Sequence, residues 1–420
     1  MSMNKKQEFI TYNSDTHHLG LYVKEARLRH GYRLAEAAQG ICAISVLSRI
    51  ESGTCEPTPI LFEKLSEKLE MKFPTADRQD PIGLFRMMSY RGDFSEMDQL
   101  LQGGDLYDYE KPLLAFLVAV KRGEIKKAEK FKAIVDRWAQ HLNPVEAQVY
   151  TLFNGKYFFA KCEWEEGVNF LASSYKIAHQ NMIHDPFLYL EIGKYYFKIE
   201  RSHLGFVFLE RASALFQKFL AKKLIIECLI IGCDAYIKLG ELDEATGKLE
   251  QLHHFLELEE DAALANDLLS LSGRIDEWRE DLRTAESTFL KLATENKENL
   301  SESCLMSIIA FYNRCHQPNR VLAFIDEIEV KQMSAQMQIL LEYYYYKATD
   351  TCDNDFELFL LDDAIPQAMK HLNVSHVTMY MKALAEFYEV KKRYKGIATT
   401  YQELEAFRNR LQKMKTVLVK

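Results

Sequence analysis

The sequence predicts an all-α protein, with a small N-terminal group of short helices followed by a right-handed superhelix of about nine helical hairpins. Three observations carry this prediction. The 420 residues hold only nine prolines and eighteen glycines, the two residues most costly inside a helix. A turn pattern recurs every 31 to 40 residues from position 92 to position 392. The first seventy residues break at Gly and Pro into four short apolar-periodic segments. The length exceeds one hydrophobic core, and 48% hydrophobic with 27% charged residues is the balance of a soluble folded chain.

In the head, Leu19, Val23, Ala26 and Leu28 mark a first helix ending before Gly31, and Leu34, Ala37 and Ala38 a second closed by Gly40. Ile44, Leu47 and Ile50 give a third, ended by Gly53. Pro57 and Pro59 open a fourth, with Ile60, Leu61, Leu65 and Leu69 as its buried stripe. A tight turn between the second and third helices is the layout of a helix-turn-helix module, and the small residues Ala37, Ala38 and Ala43 suit its close crossing. With the apolar side turned to the core, the third helix presents Ser45, Val46, Ser48 and Arg49 outward. Short polar side chains and one arginine can approach base edges in a major groove. The candidate DNA-binding residues are Ile44, Ser45, Val46, Ser48 and Arg49 on this helix, with Lys24, Arg27 and Arg33 for phosphates.

Charge confines any nucleic-acid surface to this end. Residues 1–70 carry nine basic and nine acidic side chains, whereas the remaining 350 carry 44 and 52, so the whole net charge of −8 lies there and repels DNA.

The array shows itself at Ala235–Ala245, AYIKLGELDEA: an aromatic residue, a glycine, then a small residue five positions on. With Gly240 as anchor, the equivalent turn positions are Gly92, Gly123, Cys162, Glu200, Glu280, His316, Asn354 and Lys392. Seven residues before the anchor stand Gly155, Gly193, Cys233, Gly273 and Ala385, small as close helix packing requires, and five after it Ala128, Gly167, Gly205, Ala245 and Ala285. These are the columns of tetratricopeptide repeats, lengthened from 34 to nearer 38–40 residues. The inner face is expected thirteen, ten, six and three residues before each anchor. The sixth-before column runs through Lys156, Lys194, Asp234 and Arg274. Phe159, Phe197, Asp267, Asn313 and Tyr344 lie nearby, completing the candidate peptide-binding set. The tyrosines of Glu342–Lys347, EYYYYK, are expected to pack between repeats. The C-terminal helix from Gly396 suits a solvent cap or dimer arm.

The stretch Gly40–Gly53, GICAISVLSRIESG, resembles the Xre/Cro-type helix-turn-helix carried by the peptide-pheromone-responsive regulators of Gram-positive bacteria, the Rgg, PlcR, NprR and PrgX relatives. Leu47-Ser48-Arg49-Ile50-Glu51 with Gly53 is its most specific part. The lengthened repeats resemble the same family and its Rap cousins, and the layout is NprR-like. The resemblance implies DNA binding as a homodimer on a pseudo-palindromic operator, a short signalling peptide held in the repeat groove, and a fold-supporting role for Glu51. It departs at Arg33-Leu34, where the family usually has a capping hydroxyl and a glutamine, and at Glu56, where the family is often neutral or basic.

The expected division is a head over residues 1–71 (core 19–70), a linker from Lys72 to Pro81, and repeats over 82–420. No cofactor, metal site, enzymatic activity or membrane span is expected. Eight scattered cysteines without a C-x-x-C pair read as reduced thiols of a cytoplasmic protein, and His17-His18 and His253-His254 as solvated residues. The alternative function is a protein–protein regulator whose repeats sequester a signalling protein, with DNA binding secondary.

Overall fold

A computed structural model describes residues 16–71, 80–103, 106, 109–137, 139, 142–258, 261–295, 300–328, 333–351 and 353–414. Among these there are helices and turns and no strand. The chain divides into two compact units, the first ending at Leu188 and the second beginning at Tyr189. The linker expected at Lys72–Pro81 falls, except for its last two residues, outside the described residues.

The head consists of α1 (Thr16–Arg29), α2 (Leu34–Ala38), α3 (Ile44–Glu51) and α4 (Pro59–Lys68). Val23, Ala26, Ala37, Leu47, Ile50, Leu65 and Leu69 close its core at 0–1% exposure. Gly31, Gly40 and Gly53 end the first three helices with φ between 70° and 78°, as the sequence predicts. Gly20 permits the tightest crossing: a Cβ there would lie 1.9 Å from the carbonyl oxygen of Ile50. Without a capping hydroxyl, α2 starts on the reciprocal half of a capping box, the Arg33 N–H donating to the Glu36 carboxylate at 2.6 Å.

Three residues expected inside lie outside. Leu28 is 51% exposed, Ile44 52% and Ile60 69%. Each sits in the first or last turn of its helix. Ala43, expected at a close crossing, is instead the exposed N-cap of α3.

From Pro81 onward the helices pair. In the first unit these are α5 (Pro81–Arg91), α6 (Ser95–Gly103), α7 (Glu110–Lys121), α8 (Ile125–Val135), α9 (Pro144–Ala160) and α10 (Trp164–Gln180), with α11 (Pro186–Lys198) following. Gly92, Gly123, Cys162, Glu200, Gly240, Glu280, His316 and Lys392 all adopt left-handed φ, from 53° to 78°. Eight of the nine turn positions read from the sequence are therefore the turns of the hairpins.

The ninth is corrected. The left-handed residue is Asp350 (φ 54°), not Asn354. Asn354 opens the next helix, because the Asp353 carboxylate accepts from the N–H groups of Asp355 and Phe356 at 3.0 and 3.3 Å and so caps it. That helix, α20 (Asn354–Leu358), passes through a π-helical stretch, Phe359–Ala364, before continuing as α21 (Ile365–Lys370). Pro366 has no N–H to give the α-helical ladder, and the wider i→i+5 winding beside it accommodates the loss.

The second unit also contains α12 (Ser202–Lys218), α13 (Lys222–Leu239), α14 (Leu242–Leu258), α15 (Ala262–Trp278), α16 (Leu282–Glu295), α17 (Glu302–Arg314), α18 (Pro318–Asp326), α19 (Ala335–Thr349), α22 (Val374–Val390) and α23 (Tyr394–Met414). One core cluster takes Leu229, Cys233 and Ile237 from α13, Ala245, Leu249 and Leu252 from α14, and Leu264, Leu268, Leu271 and Ile275 from α15. A hairpin cannot bury its apolar face alone, and the next hairpin completes it. The tyrosine tract packs as predicted: Tyr343 meets Tyr380 edge-on at 5.0 Å and Tyr346 lies 5.3 Å from Phe356. The C-terminal α23 buries Phe407 and Leu411.

Candidate functional site

The first candidate surface is the exposed side of α3. Ser45, Ser48 and Arg49 are exposed, Val46 is half-buried, and Ile44 stands out at the first turn. Arg33 is exposed at the start of α2, and Lys24 is half-buried on α1. Arg27 is a correction. It is 7% exposed, and its guanidinium makes a bidentate pair with Glu51, Nε to Oε1 at 2.7 Å and Nη2 to Oε2 at 2.9 Å. Its remaining Nη1 donates to the Tyr32 carbonyl at 2.8 Å. The Glu51 hydrogen bond and charge raise the Arg27 pKa although burial opposes this. Arg27 thus ties α1 to α3 instead of facing a phosphate, and Glu51 has the fold-supporting place the resemblance implied. In the sequence Arg27 shows only as a basic residue on α1. Its position four residues after Val23, on the same helix face, is the signal that it points inward.

The second candidate is a cavity of about 440 Å³ in the second unit, within the size range of ligand pockets. It is walled by the first helices of successive hairpins, α13, α15, α17 and α19, and closed by the start of α22. Asp234, Arg274, Ala310 and Tyr344 line it, each six residues before the turn of its own hairpin once the turn is moved to Asp350. Asp267, thirteen before its turn, lines it too. The column expected three before the turn does not. It is replaced by Lys238 and Arg314, two before their turns.

The reason lies in the hairpin itself. Phe159 and Phe197, both three before the turn, lie against Gly167 and Gly205, both five after it: a Cβ on those glycines would come within 2.4 and 2.7 Å of the rings. The column three before the turn thus packs against the second helix of its own pair, while Ile230, Ser270, Met306 and Leu340, ten before their turns, line the cavity as expected, so the groove face runs at spacings 2, 6, 10 and 13. Phe159 and Phe197 are therefore packing residues, and Asn313, in the same column, is half-buried and outside the cavity lining. Lys156 belongs to the first unit, its ammonium 5.6 Å from the Phe153 ring centre. Lys194 bonds Glu227 at 2.6 Å with Glu191 at 3.8 Å, and does not line the cavity. Of the nine residues expected to meet a peptide, the structure brings together Asp234, Asp267, Arg274 and Tyr344.

The cavity is charged at one end. Asp234 accepts from Arg274 at 2.6 Å and Lys238 at 2.7 Å. Burial would raise its carboxyl pKa, but these two cations hold it below the usual carboxylate range. Arg314 pairs with Glu277. Burial, helped by the charge of Lys238, pushes His376 down to about 4, so a neutral imidazole faces this end. Burial raises the Tyr344 pKa, and its hydroxyl rests 4.0 Å from the Met379 sulfur. Asp267 accepts from the Ser301 hydroxyl at 3.2 Å and the Cys304 thiol at 3.5 Å. Among the described residues no group of three or more His, Cys, Asp or Glu side chains could hold a metal ion.

The described residues thus form a helix-turn-helix head and tetratricopeptide-like hairpins that enclose a charged cavity. No family model matches this chain. It is 22% identical over 398 residues to the transcriptional activator NprA of Geobacillus stearothermophilus, covering 87% of this chain and 97% of that protein. Its fold is similar to the apo form of the quorum sensor NprR from B. thuringiensis, with TM-score 0.55 at 18% identity over 78% of this chain and 95% of that one. NprR in complex with its cognate peptide NprX gives TM-score 0.60 at 17% identity, covering 78% and 96%. A Rap protein complexed with competence and sporulation factor gives 0.63 at 13% identity, covering 80% and 98%.

Proposed function

We propose that this chain is a transcription regulator that binds double-stranded DNA through its head and is controlled by a short peptide held in the cavity of its second unit. The observation that carries the reading is the cavity itself, because it is the residues of four consecutive hairpins at equivalent positions that build it. Stacked first helices offer an extended peptide charged groups for its polar atoms and an aromatic ring for an apolar side chain. The similarity to NprA and to peptide-bound NprR supports the same reading.

In this proposal the head is residues 1–71 and the repeats are residues 82–420. Ser45, Ser48 and Arg49 approach base edges, with Ile44 and Val46 alongside them. Lys24 and Arg33 hold phosphates. Asp234, Asp267, Arg274 and Tyr344 meet the peptide. One head reads a short half-site, so two copies on a pseudo-palindrome are the expected DNA-bound form. The role is regulatory, with no catalytic step. The place of action is the cytoplasm, in keeping with the finding that no described helix is long and apolar enough to cross a membrane.

Selection of genomic fragments by the full chain at physiological salt tests the DNA half. The expected result is enrichment of a common inverted-repeat sequence that Arg49→Ala fails to enrich. Recovery of unrelated sequences by both proteins would contradict it and favour a regulator that acts on another protein.

A further inference from the structure

The charges of the cavity are distributed unequally along α15. At the end near the hairpin turns stand Lys238, Arg274 and Arg314, and the acids bonded to them are Asp234 and Glu277. Three cations meet two carboxylates, leaving one positive charge in excess. Seven residues earlier on α15, on the same helix face, stands Asp267, which also lines the cavity. Its hydrogen-bond partners are the Ser301 hydroxyl and the Cys304 thiol, and among the described residues no cation bonds it. At 1.5 Å rise per residue, Asp267 and Arg274 lie about 10 Å apart along the helix axis.

We infer that the cavity takes a zwitterionic peptide segment, its cationic group against the Asp267 carboxylate and its anionic group against Arg274, Lys238 and Arg314. This rests on the reading of the cavity as a peptide site and adds the ligand's charge pattern to it. A separation of about 10 Å is three residues of extended chain at 3.3 Å each. A cation at Asp267 turns a carboxylate with two neutral donors into a charge-assisted pair. An anion at the other end gives the third cation a partner, and a guanidinium shared with Asp234 can donate to both through its five N–H groups. Uniformly acidic or uniformly basic peptides satisfy one end and repel the other. The neutral His376 beside Lys238 adds no charge to this balance at neutral pH.

The test uses the full chain and four pools of seven-residue peptides with acetylated and amidated ends. The random positions are drawn from uncharged residues. The fixed positions, three apart, hold Lys and Asp in either order, Lys and Ala, Ala and Asp, or Ala twice. Binding is read by calorimetry. The Lys–Asp pool is expected to bind about tenfold more tightly than either singly charged pool, the scale of one hydrogen bond to a charged group. Asp267→Asn should remove only the advantage given by Lys, and Arg274→Gln only that given by Asp. Asp267→Lys should reverse the advantage given by Lys, so that the Ala–Asp pool binds more tightly than the Lys–Ala pool by more than in the wild type, a gain that misfolding cannot mimic. Equal binding of all four pools, or identical effects of the two neutral substitutions, would overturn the charge pattern while leaving the peptide site standing. Binding of no pool would overturn both.

Discussion

The head and the cavity each contain an arginine bonded to a carboxylate, in opposite settings. Arg27 and Glu51 have side chains 9% and 6% exposed, two parallel bonds, and a backbone carbonyl taking up a further donor. Arg274 and Asp234 are 18% and 33% exposed, share their charge with Lys238, and open on an internal space of about 440 Å³. The same chemistry serves the fold in one region and remains addressable by a ligand in the other. What separates them is whether the donors are already used.

Removing one partner separates the two most strongly. Glu51→Ala leaves the Arg27 guanidinium buried and unpaired, which costs about 3–5 kcal/mol. Thermal or urea unfolding of the full chain should show the head melting early, with operator binding lost. Asp234→Asn should leave the unfolding curve within about 1 kcal/mol of the wild type, as for a partly exposed pair. Equal destabilisation by both would remove the distinction.

Gly20→Ala probes the crossing that holds the Arg27–Glu51 pair together. The added methyl meets backbone rather than a movable side chain. A loss of about 1–3 kcal/mol by denaturant unfolding is expected, the scale of overpacking. Arg49→Ala, on the exposed side of the same module, should leave unfolding unchanged and weaken operator binding by about 1–3 kcal/mol, read by fluorescence anisotropy.

Glu146 supplies a contrasting buried acid, its carboxylate accepting from the Asn143 N–H at 3.1 Å. Burial, reinforced by the neighbouring charge of Glu110, pushes its carboxyl up to about 8, although the Asn143 N–H and the Tyr109 hydroxyl oppose this. A carboxyl with a raised folded-state pKa binds its proton more tightly when folded. Its stabilising contribution is therefore present below the unfolded value of about 4.3 and is lost as pH rises toward 8. Glu146→Gln, always neutral, should match the wild type in Tm near about pH 5 and exceed it by a few degrees near about pH 8.5. A constant difference across that range would contradict the assignment.

Much of this was legible in the sequence because left-handed turns and close crossings demand particular residues. The glycines at 92, 123 and 240 gave the register, and the period carried it to Cys162, Glu200, Glu280, His316 and Lys392, which adopt the same φ without being glycine. The register failed at Asn354, where an aspartate four residues earlier took the turn and Asp353 capped the next helix. The cavity was legible in three of its columns, those thirteen, ten and six residues before the turn. Periodicity alone does not say which of two adjacent residues faces the groove, and that depended on the aromatic rings set against Gly167 and Gly205. Lys238 and Arg314 were missed for this reason. Arg27 was misread because a charged residue can be fully enclosed only with a partner, and Glu51 is 24 residues away in the chain.

The central claim is that one chain links DNA reading to peptide binding. It is tested most directly by titrating the selected operator duplex with the full chain, at fixed salt, with and without a saturating peptide drawn from the tightest-binding pool. The account predicts that the peptide changes operator affinity by about 5- to 150-fold, the usual range of coupling between sites, and that Arg274→Gln abolishes the change. Operator affinity indifferent to a peptide that calorimetry shows to be bound would contradict it.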